Sequence, residues 1–248
     1  MTTSQREPEL LGQTVVVIGG SSGIGLETAR LAVREGADVI ITGRKAEKLK
    51  QAAADTGARD YAAFDATDAA ALERFFRDLP GPIDHVLVTG PGPYYGLLAD
   101  LDRERAHADF DHHIWLAVAV TQQAAGRVRP GGTLLFMAGT GGRSRGPGQS
   151  LIAAGTAALP ALIANLAVEA APIRVNLIAA GFVDSPLSAS LLGDGLEARR
   201  AQLRATLPTG RVVEPADVAA LAVHIMSNKA LTGATYDIDG GQQLVPGA

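Results

Sequence analysis

The sequence predicts a three-layer α/β fold, a doubly wound parallel sheet with helices on both faces. Two observations carry this reading. Thr14–Ile18 (TVVVI) is a continuous apolar run, as a parallel strand requires when neither face meets water. Strand-like and helix-like segments then alternate to the end of the chain, and repeated strand–helix units close into a parallel sheet through right-handed crossovers. No internal repeat or linker interrupts them. Residues 11–248 therefore read as one domain behind a flexible N-terminal segment, residues 1–10.

The elements follow in order. After the first strand, residues 23–35 read as a helix closed by Gly36. Strands are expected at 39–42, 61–64 and 85–89, with helices at 46–54 and 68–78 between them. Residues 103–128 read as one long helix, because Phe110, Ile114, Ala117, Thr121, Ala124 and Val128 recur at spacings of three and four. A strand at 133–138, a helix at 151–170 and a strand at 174–178 come next. Helices at 191–205 and 215–226 and a last strand at 235–238 complete the pattern. Pro160 inside the 151–170 helix removes one backbone hydrogen bond and should bend it.

Composition narrows the function classes. The chain has 248 residues, 47% hydrophobic and 19% charged, which suits a packed core and excludes a disordered chain. A net charge of −4 offers no footprint for nucleic acid or an anionic membrane. With no cysteine there is no disulfide, thiolate nucleophile or cysteine-held metal, in keeping with a reducing cytoplasm. The first ten residues are polar and lack the apolar stretch of a signal peptide. Residues 151–168 carry no charge over 18 positions, close to the length of a membrane span. Gly155, Pro160 and Asn165 and the dominance of alanine favour a helix buried in a core or subunit interface. The five histidines form no metal-binding spacing, and no metal is expected.

Glycine is abundant, with 29 residues, and its placement is informative. Between the first strand and first helix lies GGSSGIG, with Gly19, Ser21, Ser22, Gly23, Ile24 and Gly25. Glycines here let the backbone turn sharply and lie against a pyrophosphate, while the helix N-terminus presents unpaired N–H groups and the positive end of its dipole. A bare glycine turn is the alternative. The position at the first strand–helix turn favours a dinucleotide. An NAD(H) site usually holds the ribose 2′-hydroxyl with a carboxylate ~20 residues further on. Here the second strand ends in Thr42-Gly43-Arg44-Lys45, and two cations suit a 2′-phosphate. NADP(H) is therefore favoured over NAD(H).

With these residues in view, the chain resembles the short-chain dehydrogenase/reductase family over nearly its whole length. Residues 19–25 look like its glycine motif, with Ile18 where threonine is usual. Residues 65–68 (DATD) look like the segment after strand three, so the resemblance implies that Asp65 and Ala66 meet the adenine. Residues 174–181 (RVNLIAAG) resemble R-V-N-x-I-x-P-G, with Ala180 in place of proline. It further implies that Val183 and Ser185 contact the nicotinamide carboxamide and phosphate. Thr89, Gly90 and Pro91, followed by Gly92, stand where the family has Asn-Asn-Ala-Gly. Residues 215–218 and 232–241 resemble its C-terminal signature. The implied fold is the Rossmann-type NAD(P)-binding fold, in subunits that meet as dimers or tetramers through the 151–168 and 215–226 helices.

The family's catalytic residues do not recur. It uses Tyr-x-x-x-Lys after strand five, a serine on strand five and an asparagine on the long preceding helix. The matching positions here are Ile152, Thr156, Gly139 and His113. The tyrosines are Tyr61, Tyr94, Tyr95 and Tyr236, the lysines are Lys45, Lys48, Lys50 and Lys229, and no pair has the required spacing.

A positioned acid contributes typically ~10²–10⁴-fold, so carbonyl reduction by this chain calls for a replacement. Tyr94 and Tyr95 follow the turn after strand four, where ligands lie in this fold, and either offers a phenol or simply walls the pocket. His113 could shuttle protons, or be a core histidine satisfied by a carbonyl. Thr140 and Ser150 are weaker candidates. The basic, glycine-rich stretch 140–150 could be a lid that recognises an acidic substrate through Arg143 or Arg145, or a solvated loop; it lacks the ending of a P-loop. The sequence thus supports an NADP(H)-dependent oxidoreductase acting on a small carbonyl or alcohol with an atypical proton donor. A cofactor-binding sensor or assembly partner, and a non-redox lyase or isomerase, are the alternatives.

Overall fold

The computed structural model describes residues 7–90, 92–143 and 145–245. Seven parallel strands form one sheet in the order β3-β2-β1-β4-β5-β6-β7. They are β1 (Thr14–Ile18), β2 (Asp38–Gly43), β3 (Asp60–Ala63), β4 (Ile83–Val88), β5 (Val128–Gly139), β6 (Arg174–Ala180) and β7 (Thr235–Ile238). The strand order reverses between β1 and β4, which opens a crevice at their carboxyl ends, the place where ligands bind in such sheets.

Both faces of the sheet are apolar, and successive residues of one strand enter different cores. Val15 and Val17 join one cluster with α1 (Gly23–Arg34), α2 (Ala46–Thr56) and α9 (Pro215–Ser227). Val16 and Ile18 join the other with α3 (Ala69–Asp78), α5 (Leu116–Ala124) and α6 (Ser150–Glu169). This explains the unbroken apolar run in β1. Helix α6, uncharged up to its last residue Glu169, passes through Pro160 and lays Ile152, Leu159, Ile163 and Leu166 against the protein. Its outer side is open, with Val168 78% exposed.

Arg174 at the start of β6 shows why an arginine opens that strand. Its buried guanidinium donates to the carbonyls of Gly131, Ile225, Met226, Asn228 and Leu231 at 2.7–3.1 Å. It thereby satisfies the last turn of α9, whose carbonyls lack helical partners.

Two predicted helices are divided. The single helix expected at 103–128 is α4 (Arg103–Phe110), a π-helical turn (Asp111–Trp115) and α5, which ends at Ala124. Val128 instead begins β5 and lies beside Ile83 of β4. The helix expected at 191–205 is two, α7 (Pro186–Leu192) and α8 (Leu196–Thr206). Gly193 breaks it at φ 51°, a left-handed conformation that favours glycine. Pro186 and a Ser185–Ser188 capping box start α7 earlier than expected.

Residues 7–10, expected within a flexible segment, are tied into the fold. Leu10 is fully buried, and its N–H donates to the Glu35 carbonyl at 3.0 Å.

Candidate functional site

The site begins where β1 gives way to α1. The N–H groups of Gly19 and Gly20 both donate to the Thr42 carbonyl at 3.0 Å, folding the loop back over β2. Gly19 has φ 92°, and a Cβ there would stand 2.1 Å from Thr89 Oγ1. A Cβ on Gly25 would stand 2.3 Å from the Gly19 carbonyl oxygen. Both contacts are below any tolerable separation, so these glycines are demanded by packing. The Thr89 hydroxyl locks the loop from beneath, donating to the carbonyls of Ile18 and Gly19 at 3.0 and 3.2 Å.

Helix α1 starts without a side-chain cap from Ser22 and without an acidic residue in its first turn. Its N–H groups and positive dipole end are therefore left for an anion. Ser185 and Pro186 close the other side, each 3.8 Å from a Cβ built on Gly23. Val183 is buried in the strand-like crossing that leads there, paired with Val213. Gly19, Ser22, Gly23, Ile24, Gly25, Val183 and Ser185 are thus brought to one groove. Gly90 lies just beyond Thr89, with no heavy atom within 4 Å of a built Cβ. Pro91, also predicted there, lies outside the described residues.

The groove continues toward the end of β2. Ser21 Oγ is 3.6 Å from a Cβ built on Gly43, so Ser21 reaches the residue before Arg44. Arg44 and Lys45 are exposed, and neither side chain has a hydrogen bond or ion pair among the described residues. Asp65 accepts from the Thr67 N–H and hydroxyl at 3.0 and 2.8 Å, forming a tight turn that also orients Ala66. The Thr67 N–H chiefly, aided by its hydroxyl and the charges of Arg44 and His112, holds the Asp65 carboxyl below the usual range. A groove of tight glycines, an uncapped helix and free cations fits a phosphorylated dinucleotide.

The positions aligned with the family's acid machinery also come together. Gly139 ends β5, and the Gly141–Arg143 turn follows it back onto α6. A Cβ on Gly141 would lie 3.9 Å from both Ile152 Cγ1 and Thr156 Oγ1. None of the three side chains can donate to a substrate: Ile152 is aliphatic, Gly139 has none, and the buried Thr156 hydroxyl already donates to the Ile152 carbonyl at 2.7 Å. Gly142 presses closer still, where a Cβ would stand 2.9 Å from Ala157 N and 3.0 Å from Thr156 Oγ1. A cavity of about 240 Å³ remains beside the turn, bordered by Gly139, Thr140, Thr156 and Pro160.

Arg143 is no free anion receptor. Its guanidinium clasps Asp237 at 2.5 and 2.9 Å and donates to Gln243 Oε1 at 2.6 Å, fixing the turn to β7. Arg145 donates to the Gly142 carbonyl at 3.2 Å. The loop is also tied across the mouth, where the Gly96 N–H donates to the Gly148 carbonyl at 3.1 Å.

Tyr94, Tyr95 and His113 converge on one residue that the sequence reading missed, Asp109. Its buried carboxylate accepts from the Tyr94 N–H at 2.9 Å and lies 3.5 Å from His113 Nδ1. The Asp109 carbonyl accepts from the same Nδ1 at 2.8 Å. Tyr94 is a structural pin: its ring is buried, Arg105 stacks over it at 4.5 Å, and its oxygen accepts from the Asp102 N–H at 3.0 Å. Tyr95 is 54% exposed on the lip. Its protein surroundings, and secondarily the Asp109 charge, push its phenol pKa up and keep it protonated. Asp109 left no local signal, because its partners lie 15 residues back and one helical turn ahead.

Comparison with known proteins identifies the family and the fold. A family model described as Enoyl-(Acyl carrier protein) reductase matches residues 18–243. The chain is 28% identical to the short-chain dehydrogenase/reductase malC of Malbranchea aurantiaca, covering 98% of this chain and 100% of that protein. It is 30% identical to the oxidoreductase UcpA of Salmonella typhimurium, over 95% and 96% of the two chains. Among solved structures, a small-chain dehydrogenase in complex with NADPH superposes with a TM-score of 0.81 at 29% identity, covering 94% of this chain and 99% of that one. The MalC reductase/Diels-Alderase superposes with a TM-score of 0.86 at 26% identity, over 96% and 99%. With the glycine cradle, the seven-stranded parallel sheet and this full-length similarity, the chain belongs to the short-chain dehydrogenase/reductase family.

Proposed function

We propose that the protein is an NADP(H)-dependent oxidoreductase that interconverts a small carbonyl compound and its alcohol, using an atypical proton donor. The observation that carries this reading is the tight glycine loop and uncapped start of α1 beside two exposed cations, Arg44 and Lys45, that make no hydrogen bond or ion pair among the described residues. A carboxylate there would select the 2′-hydroxyl of NAD(H); a guanidinium and an ammonium attract the 2′-phosphate instead. The similarity to structures described as NADPH complexes supports the same choice.

Residues 19–25 and Ser185 would hold the pyrophosphate, Arg44, Lys45 and Ser21 the 2′-phosphate, and Asp65 and Ala66 the adenine. Thr89, Gly90 and Pro91 would border the ribose, and Val183 the carboxamide. The bound nicotinamide supplies the hydride. The chain's own part is to orient the acceptor and deliver a proton where Ile152 and Thr156 cannot. The small-molecule substrate would bind at the carboxyl ends of the strands, beside the cofactor. We place the protein in the cytoplasm as a dimer or tetramer that covers the open side of α6, where Val168 is 78% exposed.

Calorimetric titration with NADPH and NADH, followed by NADPH oxidation across a carbonyl panel, tests the proposal. Tighter binding of NADPH and loss of its absorbance are expected; absence of NADPH binding refutes it. The second reading is a cofactor-binding protein without turnover, favoured by the replacements at Gly139, Ile152 and Thr156. It predicts tight NADPH binding that alters affinity for a macromolecular partner, with no hydride transfer. A non-redox lyase or isomerase would form product with unchanged nicotinamide absorbance.

A further inference from the structure

We propose that His113 is the proton-transferring residue of this site and that Asp109 positions it. The inference rests on the hydride-transfer reading above and names the donor which that reading leaves open.

Geometry carries it. His113 lies in the π-helical turn between α4 and α5, and such turns are frequent at functional sites because one extra residue re-aims the side chains around it. The turn packs against α6, the helix of Ile152 and Thr156. The imidazole is 12% exposed and the Asp109 carboxylate 6%. Asp109 grips one edge of the ring twice, through its carbonyl at 2.8 Å and its carboxylate at 3.5 Å from Nδ1. A carbonyl can only accept, so Nδ1 carries a proton in both charge states. Nε2 has no hydrogen-bond partner among the described residues and is the atom that gains and loses a proton. The same carboxylate holds the Tyr94 N–H, five residues beyond Thr89, which ties the dyad to the loop leaving the cofactor groove.

The surroundings isolate this pair. Helix α5 carries no titratable residue, and α6 carries only Glu169, its last. The turn itself adds Asp111 and His112, and α4 adds Arg103, Glu104, Arg105 and His107. Tyr95 comes from the facing loop. Of these acids and bases only Asp109 contacts the His113 ring.

The step balances simply. A bound reduced nicotinamide would supply hydride to the carbonyl carbon, and the C=O π pair would pass to oxygen. That oxygen takes the proton from Nε2 of the imidazolium, and the N–H pair stays on the ring. The ring becomes neutral with Nδ1–H still on the Asp109 carbonyl, and solvent returns a proton to Nε2. Alcohol oxidation runs in reverse and requires neutral His113.

The test compares wild type, His113→Gln and Asp109→Asn as cofactor-loaded enzyme, with cyclohexanone and acetophenone as acceptors. His113→Gln should lower kcat by roughly 10²–10⁴-fold and abolish the fall in reduction rate toward alkaline pH. NADPH affinity should stay within about twofold, since the histidine is outside the groove that holds the phosphates. Asp109→Asn keeps an acceptor for the Tyr94 N–H and should displace the pH profile without erasing turnover. Nitrogen-edited NMR supplies a readout independent of turnover. In the NADP⁺-loaded protein, Nε2 of His113 should titrate, and cyclohexanol should shift it in preference to Nδ1. Unchanged kcat and pH profile in His113→Gln overturn the proposal. So does an Nε2 signal blind to pH and to cyclohexanol, which decides the matter even without turnover. Failure of wild type to bind NADPH instead defeats the underlying oxidoreductase reading.

Discussion

Replacing Gly25 with alanine probes the cofactor cradle most directly. The new Cβ would lie 2.3 Å from the Gly19 carbonyl oxygen, whereas ordinary contact begins at 3.4 Å. The first turn of α1 and the glycine loop must therefore part by about 1.1 Å. A hydrogen bond of about 2.9 Å lengthened by that amount leaves the bonding range. Each N–H bond to a charged phosphate contributes about 1.5–3 kcal/mol. Loss of one such bond then raises the NADPH Kd about 10- to 150-fold, at 1.4 kcal/mol per tenfold. The overpacking itself costs about 1–3 kcal/mol of stability. Calorimetry measures the first effect and urea denaturation the second. Gly126→Ala is the control, because no heavy atom lies within 4 Å of its built Cβ. Wild-type NADPH affinity in Gly25→Ala would show that the α1 N-terminus is not the phosphate site.

Three further outcomes are expected. Arg44→Ala should weaken NADPH binding about tenfold, as loss of one surface charge-assisted bond of about 1.5 kcal/mol predicts, and leave NADH unchanged; equal losses for both cofactors, by calorimetry, would refute the 2′-phosphate assignment. Burial lowers the His85 pKa from 6.5 to about 4, against the opposing charge of Asp84. The unfolded chain therefore binds more protons between these values, and stability is retained above pH 6.5 and lost as pH falls toward 4, by about 3 kcal/mol in all. In denaturant titrations His85→Gln should flatten that decline, and an equally steep decline in the variant would exclude His85 as its source. Finally, Gly139→Ser with Ile152→Tyr and Thr156→Lys should raise ketone reduction by ~10²-fold or more if only the acid is missing. Serine fits at 139, where the nearest atom to a built Cβ is 3.8 Å away, but lysine at 156 must displace the Gly142 turn. An inert, folded triple variant would show that this turn has closed the family's own route.

The sheet and the tight turn of the glycine loop were legible because their signals are local. Val15 to Ile18 must be buried on two sides, and Gly19 to Gly25 must turn within seven residues. Arg44 and Lys45 stand where a carboxylate would hold a ribose hydroxyl, and the proposed preference for a 2′-phosphate rests on that local reading. The helix divisions were harder. The Gly193 break was visible as a glycine, but the apolar residues flanking it continue a helical spacing. Val128 also fits the helical series, and only its pairing beside Ile83 decides for a strand. Asp109 was illegible because an aspartate on a polar helix normally faces water. Its burial depends on Tyr94 and His113 arriving from two different segments. Arg143 looked like a free cation for the same reason, since Asp237 lies 94 residues away.

The π-helical turn has a consequence for how this chain can change. Each residue advances an α-helix by 100°. One surplus residue therefore sets α4 and α5 out of phase, and the stripe that faces the core on one side does not line up with the stripe on the other. Deleting a single residue at Asp111 or His112 would put the two back in phase as one straight helix. It would also turn α4, with Asp109 and the anchorage of Tyr94, by about a quarter turn relative to α5. The segment thus tolerates substitution far better than a change of length, and length variants separate the chemistry of the dyad from the packing that holds it.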